Sequence, residues 1–449
     1  MKGNKPPVPP YPWPLPFDPH ITPPAYMTAD VPGIGGVLKA RPEDFLVEEI
    51  PAYEPCGEGE HLYLWVQKRG MATMHMLRLL ADHFGVRREA VSCAGLKDTH
   101  AVTTQMVSVH LPGKKNAEHS AFTHEQVSIL WTDRHNNKLR RGHLKGNRFV
   151  LRVRNVTASK AVYAHKALMK LAAAGAPNRI GAQRFGMLAN NHIVGRALIL
   201  GDFQGTLDAM LGPNAEHPEV HAEARALYAA GKYEEAMHAM PRSAHAERRC
   251  LSVLARGEDA KRAVYSIERL IQSFLVTAWQ SAVFNAVLDE RIGNETYTRL
   301  IEGDLAFKHD SGAVFPIDAP TLADTAVTDP SQALAQRLSR VEISPSGPMW
   351  GPEMTEASGA VGEMERRIME SSGVALERLR AYWQQSREAM LGQRRALRIP
   401  VANPDVEGGM DEHGEYVKLR FELPRGSFAT SVMQEIMKTE PAGDEEENA

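Results

Sequence analysis

The chain has 449 residues, 43 % of them hydrophobic and 24 % charged, with a formal net charge of −3, which suits a soluble globular protein of two or three domains, each with its own core. No apolar run approaches the ~20 residues of a membrane span, and the N-terminus lacks the apolar core of a secretory signal, so the expected location is the cytoplasm, with no membrane partner. Cys56, Cys93 and Cys250 are far apart and odd in number, which argues against a disulfide framework and a Cys-rich zinc site. A near-neutral total charge argues weakly against nucleic acid until its distribution is read.

Residues 6–24 hold ten prolines, a density that forbids helix and favours an extended polyproline arm. The run from Gly36 to Ala40 reads as a strand that Pro42 breaks, and Phe45-Leu46-Val47 begins a second strand. Leu62 to Val66 is a third. A helix follows, with Thr73 as N-cap, Met76, Leu77, Leu80 and Phe84 at helical spacing, and Gly85 as its stop. It leads into Cys93-Ala94-Gly95-Leu96-Lys97-Asp98-Thr99-His100, with a strand-like run from Val102 to Val109 beyond. Gly95 permits a turn at positive φ, which places Asp98 in a loop held by rigid elements on both sides. Catalytic residues concentrate in such loops, although an Asp bonding its own backbone in a turn is the commoner occupant.

From Arg134 to Val156 there is no acidic residue, while Arg134, Lys138, Arg140, Arg141, Lys145, Arg148, Arg152 and Arg154 supply eight fixed cations. The stretch reads either as a phosphate-binding patch or as a solvated basic loop. Phe149 opens an alternating strand, Phe149 to Arg154, and fits core packing or base stacking equally; periodicity does not choose. A helix over 159–174 ends at Gly175 and Pro177. Beyond about residue 187 the chain turns strongly helical. The longest helix is predicted from about Val264 to Arg291, with Ile267, Leu270, Ile271, Phe274, Leu275 and Ala278 on one apolar face. Short strand-like runs lie near Ala306-Phe307 and Val314-Phe315, Gly347 to Pro352 reads as a turn-rich loop, and two further helices end near Gly392. Val417, Leu419, Phe421 and Leu423 alternate with polar residues as in a half-buried antiparallel strand, Pro424-Arg425-Gly426-Ser427 turns into a last helix, and the tail after Pro441 is acidic and expected to be disordered. No internal repeat is visible.

The run Gly95-Leu96-Lys97-Asp98 followed by Ala101-Val102-Thr103-Thr104-Gln105 resembles the signature of the TruD family of pseudouridine synthases. Further segments are similar to motifs of that family, in the family's order. They are Lys39-Ala40-Arg41-Pro42-Glu43-Asp44-Phe45, the stretch from Arg140 to Phe149, Asn178 to Gly186, Gln280 to Asn285, Ser346 to Gly351 and Leu423 to Thr430. Each alone is weak; their ordered combination over about residues 36 to 436 is specific. Ile180 departs from the aromatic residue usual at that position.

The resemblance implies an α+β fold: a pseudouridine synthase catalytic domain with a mixed, largely antiparallel sheet, interrupted by a mostly helical TruD-type insertion domain. The corresponding division is a Pro-rich arm over 1–30, the first part of the catalytic domain over 31–180, the insertion over 181–395, the catalytic return over 396–440, where the strand Val417 to Leu423 rejoins the first sheet, and an acidic tail over 441–449. It implies isomerisation of a uridine in RNA to pseudouridine, with tRNA as partner and position 13 beside the D arm as target. A monomer is expected. The reaction has no redox change or group donor, and the sequence carries no Walker loop and no Gly-x-Gly-x-x-Gly opening a helix, so no cofactor is expected.

By the same resemblance Asp98 is the nucleophile, attacking the sugar C1′ or the ring C6. Lys39 is the cation that favours its charged form. Asn147 bonds a uracil edge or fixes the Asp98 loop, and Phe149 packs against the target base, with Phe45 as a conceivable second wall. The RNA-contacting residues are Arg140, Arg141, Lys145, Arg148 and Arg184. Two rival readings are an RNA-binding protein of this fold without catalysis and a synthase acting on another RNA. A third, a metal-dependent hydrolase using His110, His119, His124, His135 and His143, is disfavoured because these histidines lie in turn-rich sequence with no His-Glu-x-x-His helix; no metal site is expected.

Overall fold

In the computed structural model, residues 24–113, 122–323, 329, 332–386 and 391–439 are described. The proline-rich head, the acidic tail and His119 lie outside the described residues. The chain divides into two compact units. Of the described residues, one unit comprises those of 27–178 and 399–439, the other those of 179–398 with residues 24–26.

The first unit is built on an eight-stranded mixed sheet. Its strands are β1 (Phe45–Pro51), β2 (His61–Arg69), β3 (Val91–Cys93), β4 (Val102–His110), β5 (Val127–His135), β6 (Leu144–Val153), β7 (Ala402–Asp411) and β8 (Gly414–Pro424). The order across the sheet is β7-β8-β6-β1-β4-β2-β5, with β3 pairing β4. Only β1 and β4 run parallel; every other pairing is antiparallel. The strand expected at residues 417–423 therefore adds directly to β6, with Phe421 opposite Phe149 and Leu423 opposite Asn147. The strand expected at residues 36–40 is reduced to one bridge, Val37 with Arg154. Gly36 explains why: at φ 89° it lies so close to β6 that a Cβ there would come within 2.6 Å of the Arg154 carbonyl oxygen.

Period-two alternation sends one side of each strand into the core. On one face, Phe45, Val47, Phe149, Leu151, Leu419 and Phe421 pack with Leu168 and Leu171 of the helix Ala161–Ala174 and with Val432, Met433 and Ile436 of the helix Ala429–Met437. Leu62, Leu64, Val66, Val107 and Val109 pack instead with Met76, Leu77, Leu80 and Phe84 of the helix Thr73–Phe84. Cys93 belongs to this second cluster and Ala101 to the first. The loop between them passes from one core to the other.

The second unit is mostly helical, with a four-stranded sheet of residues 305–308, 314–316, 343–349 and 393–396. Gly347-Pro348-Met349, expected in a loop, lies in a strand paired with residues 393–395. The long helix begins at Arg269 rather than Val264, because a shorter helix ends at Tyr265 and a turn separates them. Its expected apolar stripe is also corrected. Leu270 is 81 % exposed, and burial starts at Leu275 and is continuous from Ala278 through Trp279 and Phe284. Helix Arg269–Gly293 has the length and apolarity of a membrane span, but 67 % of its apolar stretch is buried inside the protein, as in a core helix.

Candidate active site

The loop 94–101 is gripped from below. Gln105, on β4, donates from Nε2 to the Gly95 carbonyl at 3.0 Å. Lys68, on β2, donates from Nζ to the Asp98 carbonyl at 2.6 Å. Thr73 Oγ1 accepts from the Lys97 amide at 3.0 Å and donates to the Lys97 carbonyl at 3.2 Å. Thr73 was expected as a helix cap; the helix has Ala72 at its N-cap, and no side chain caps it. The expectation for Gly95 also changes. It is absent from the positive-φ glycines, and a Cβ there would meet only Lys97 Nζ, at 3.7 Å; nothing in the structure explains a glycine at this position.

Above the sheet, Lys39 Nζ meets Asp98 Oδ1 at 3.0 Å. Lys39 is one of the few non-glycine residues at positive φ, 57°, a conformation that is uncommon outside glycine, Asn and Asp. The Val37–Arg154 bridge pins the segment just before it, with N–O distances of 2.8 and 2.9 Å. The left-handed residue thus follows a fixed point and carries its ammonium to the loop. The Asp98 side chain remains 34 % exposed while Lys39 is 8 % exposed, so the carboxylate is both paired and reachable.

Lys39 Nζ also sits 4.3 Å from the ring centre of Phe45. Phe45 in turn meets Phe149 edge-on at 6.4 Å, and Phe149 meets Phe421 at 5.6 Å. Phe149 is therefore linked to the ion pair through Phe45, but it is buried in the sheet core at 4 % exposure. Asn147 lies two residues earlier on the same face of β6, opposite Glu49. Its Oδ1 is buried with no hydrogen-bond partner, which buried amide oxygens rarely tolerate.

Glu49 holds the other charge under the loop. Its Oε2 accepts from Lys97 Nζ at 2.8 Å and its Oε1 from the Met106 amide at 3.3 Å, with both side chains almost fully buried. Burial pushes the Glu49 carboxyl above the usual carboxylate range, with Lys97 opposing. Burial likewise pulls the Lys68 ammonium down to about 8 from the ordinary lysine range, against the attraction of Asp98. Burial pushes the Cys93 thiol up, away from the thiolate form that reacts.

Lys68, Glu49, Lys97 and Gln105 were not singled out from the sequence. One signal was available for two of them. Lys68 continues the apolar phase of Leu62, Leu64 and Val66, and Glu49 continues that of Phe45 and Val47. A charged residue in a buried phase needs a partner.

The basic stretch divides. Arg154 is buried, with Asp44 Oδ1 and Asp411 Oδ1 each at 2.6 Å, and it holds the Asp411 carboxyl down to about 2. Arg134 is buried and donates to the Leu111 carbonyl at 3.0 Å. Arg148, a candidate RNA contact, lies between Glu48 at 2.8 Å and Glu422 at 2.9 Å. Arg140, Arg141 and Lys145 are exposed. Arg184 belongs to the other unit, where its guanidinium lies 4.9 Å over Phe274. His135 and His143 pack around Tyr53, whose hydroxyl lies 3.0 Å from His143 Nδ1. They line an open cavity of about 450 Å³ with Asn137, Lys138 and Arg140. His110 faces Glu60 at 3.5 Å. Among the described residues no three His, Cys, Asp or Glu side chains converge as a metal ion would require.

Comparison with known proteins bears on the family. The family model described as tRNA pseudouridine synthase D (TruD) matches residues 24–436. A protein of Geobacter sulfurreducens named tRNA pseudouridine synthase D is 40 % identical over 415 residues, covering 92 % of this chain and 96 % of that protein. A protein of the same name from Syntrophotalea carbinolica is 38 % identical over 417 residues, covering 92 % and 99 %. The crystal structure of a Methanosarcina mazei protein, titled a putative tRNA pseudouridine synthase D, superposes with a TM-score of 0.81 at 28 % identity, covering 95 % of this chain and 98 % of that one.

Proposed function

Because the chain belongs to the TruD family, we propose that it converts a uridine of tRNA to pseudouridine, with Asp98 as nucleophile. The observation that carries the reading is the Lys39–Asp98 contact at 3.0 Å, on a carboxylate that stays 34 % exposed at the tip of a loop clamped through three of its residues. A carboxylate held this way has lost the freedom to turn away from an incoming ribose, which removes part of the entropic barrier.

The reaction breaks the N1–C1′ bond, joins C1′ to C5 of the turned ring, and loses the C5 proton to a base while N1 ends protonated, so that the isomerisation balances with no co-reactant. Attack by Asp98 Oδ on C1′ or on C6 gives a covalent adduct and divides one difficult step into two. Lys39 holds a positive charge against the carboxylate as the RNA, a polyanion, approaches. The target uridine leaves its stack to reach the loop. Asn147, whose buried Oδ1 lacks a partner, accepts from the uracil imide. Phe149 supports the pocket from the core through Phe45 rather than as an exposed stacking face. Exposed Arg140, Arg141 and Lys145 take phosphates, and Arg184, on the other unit, is a separate candidate RNA contact. Arg148, already held between Glu48 and Glu422, is the weakest of the RNA contacts. The working form is a monomer acting on RNA without metal or small-molecule cofactor, with position 13 as the expected target.

The test is carbodiimide mapping of tRNA transcripts incubated with the purified protein in EDTA. The expected outcome is a new alkali-stable adduct at one uridine beside the D arm. Transcripts with no pseudouridine at any position would overturn the reading.

A further inference from the structure

We propose that Lys68 is a positioning residue for the nucleophile, setting the path of the Asp98 peptide from inside the protein. The inference rests on the reading of Asp98 given above.

Lys68 is fully buried, with 0 % exposure, and lies on β2 directly opposite Thr103 of β4. Its ammonium donates to the main-chain carbonyl of Asp98 at 2.6 Å. It therefore holds the residue through an atom that no substitution of the Asp98 side chain removes. Gln105, on the neighbouring strand, holds the Gly95 carbonyl at 3.0 Å. Two donors rising from one sheet face thus fix two carbonyls of the same short loop. Between them, Lys97 is fixed through both its peptide groups by Thr73 and through its side chain by Glu49.

The residue type matters. A lysine buried this completely is rare unless it is paired, because removing an ammonium from water is costly. A serine or an amide would not span from β2 to the loop, and an apolar residue would leave the Asp98 carbonyl without its donor. Lys39 engages the carboxylate and Lys68 the peptide, so the two lysines constrain different atoms of one residue. With the carbonyl held, the Asp98 backbone has less freedom to rotate and its Cα–Cβ bond fewer directions to take, and the side chain reaches Lys39 from that frame. Effective concentration in a pre-set geometry is lost steeply with small displacements. Lys68, shielded from RNA by the loop itself, acts on rate rather than on binding.

The test uses the full chain and Lys68→Met, which keeps the length and volume of the side chain and removes the donor. Three quantities are read well below the melting temperature: the single-turnover rate at saturating tRNA transcript, the Kd by filter binding, and amide hydrogen exchange over residues 95–101. The expected result is a rate lowered about 30-fold or more, a Kd within about twofold of wild type, and faster exchange in the loop. If Lys68→Met does not fold, Lys68→Gln, which keeps a donor but shortens its reach, is read the same way and is expected to show the same split. A folded variant whose rate stays within about threefold of wild type, or one in which rate and Kd fall together while loop exchange is unchanged, overturns the proposal. If wild-type protein modifies no tRNA, the reaction reading has failed, and unchanged loop exchange in the variant would then reject the grip on Asp98 independently.

Discussion

Two lysine–carboxylate pairs sit at adjacent residues of one loop and serve opposite ends. Lys97 and Glu49 lie under it, 4 % and 0 % exposed, at 2.8 Å. Lys39 and Asp98 lie at its outer side, at nearly the same distance, 3.0 Å, but with the carboxylate 34 % exposed. The chemistry of the two pairs is alike; their access to water differs. In the buried pair each ion depends on the other, since removing one partner strands a charge in a poorly solvated site. In the outer pair water can stand in for Lys39 at the half-exposed carboxylate, so losing the lysine costs little stability and the carboxylate remains available to a substrate. On the proposed reading, exposure, and not the presence of an ion pair, separates the structural carboxylate from the reactive one.

The comparison breaks most visibly at the buried pair. Glu49→Ala should lower stability by about 3–5 kcal/mol, because the Lys97 ammonium is left unpaired in the core; a chemical denaturation curve reads it. A loss below about 1 kcal/mol would place Lys97 in contact with water and dissolve the contrast.

The next effect is the pH dependence of Lys68. Its folded pKa of about 8 lies below the ordinary value of 10.5, so between these values the unfolded chain binds more protons than the folded one. Stability from this group therefore rises as pH climbs through that window, and the burial penalty is fully present below it. Measured against Lys68→Met, which lacks the group, the wild type should gain on the order of 3 kcal/mol between pH 8 and 10.5. A constant difference across the window would show that the ammonium is not desolvated.

Lys39→Met sharpens the other side. The single-turnover rate should fall about 10²-fold, while stability changes by less than about 1 kcal/mol, as expected for a pair with a solvated member. A large melting shift with little rate change would make the outer pair structural as well. The smallest effect is expected at the exposed cations. Arg140→Glu with Arg141→Glu should weaken tRNA binding about tenfold at moderate salt and flatten its salt dependence. An unaltered slope in filter binding would place these arginines off the path of the RNA.

Much of the fold was legible because its signals are local. The alternation from Val417 to Leu423 and the 3.6-residue spacing from Met76 to Phe84 each name a buried face without knowledge of its partner. Asp98 was legible through the residues around it, since Gly-Leu-Lys-Asp and the following strand form one continuous motif. What escaped the sequence depends on register. The apolar phase of Leu62, Leu64 and Val66 hints that Lys68 is buried, but its partner emerges only when β2 is aligned so that it stands opposite Thr103, and a shift of one residue would turn it to the other face. The basic stretch shows the same limit in reverse. Its lack of local acids suggested open cations, yet Arg148 and Arg154 find Glu48, Glu422, Asp44 and Asp411 at separations of 100 to 274 residues. Charge counted along the chain does not measure charge in space.

Asp98→Asn, read in a single-turnover assay on tritiated tRNA beside a melting curve and a binding titration, decides whether the exposed member of the two carboxylates performs the chemistry. The amide is nearly isosteric with the carboxylate, keeps the main-chain carbonyl that Lys68 holds, and is a poor nucleophile. The expected outcome is no detectable conversion, a melting temperature close to wild type, and tRNA affinity equal or slightly higher, since one negative charge has left the path of a polyanion. Conversion by Asp98→Asn near the wild-type rate would show that the residue serves only its turn, where Asn and Asp are interchangeable, and would remove Asp98 from the reaction.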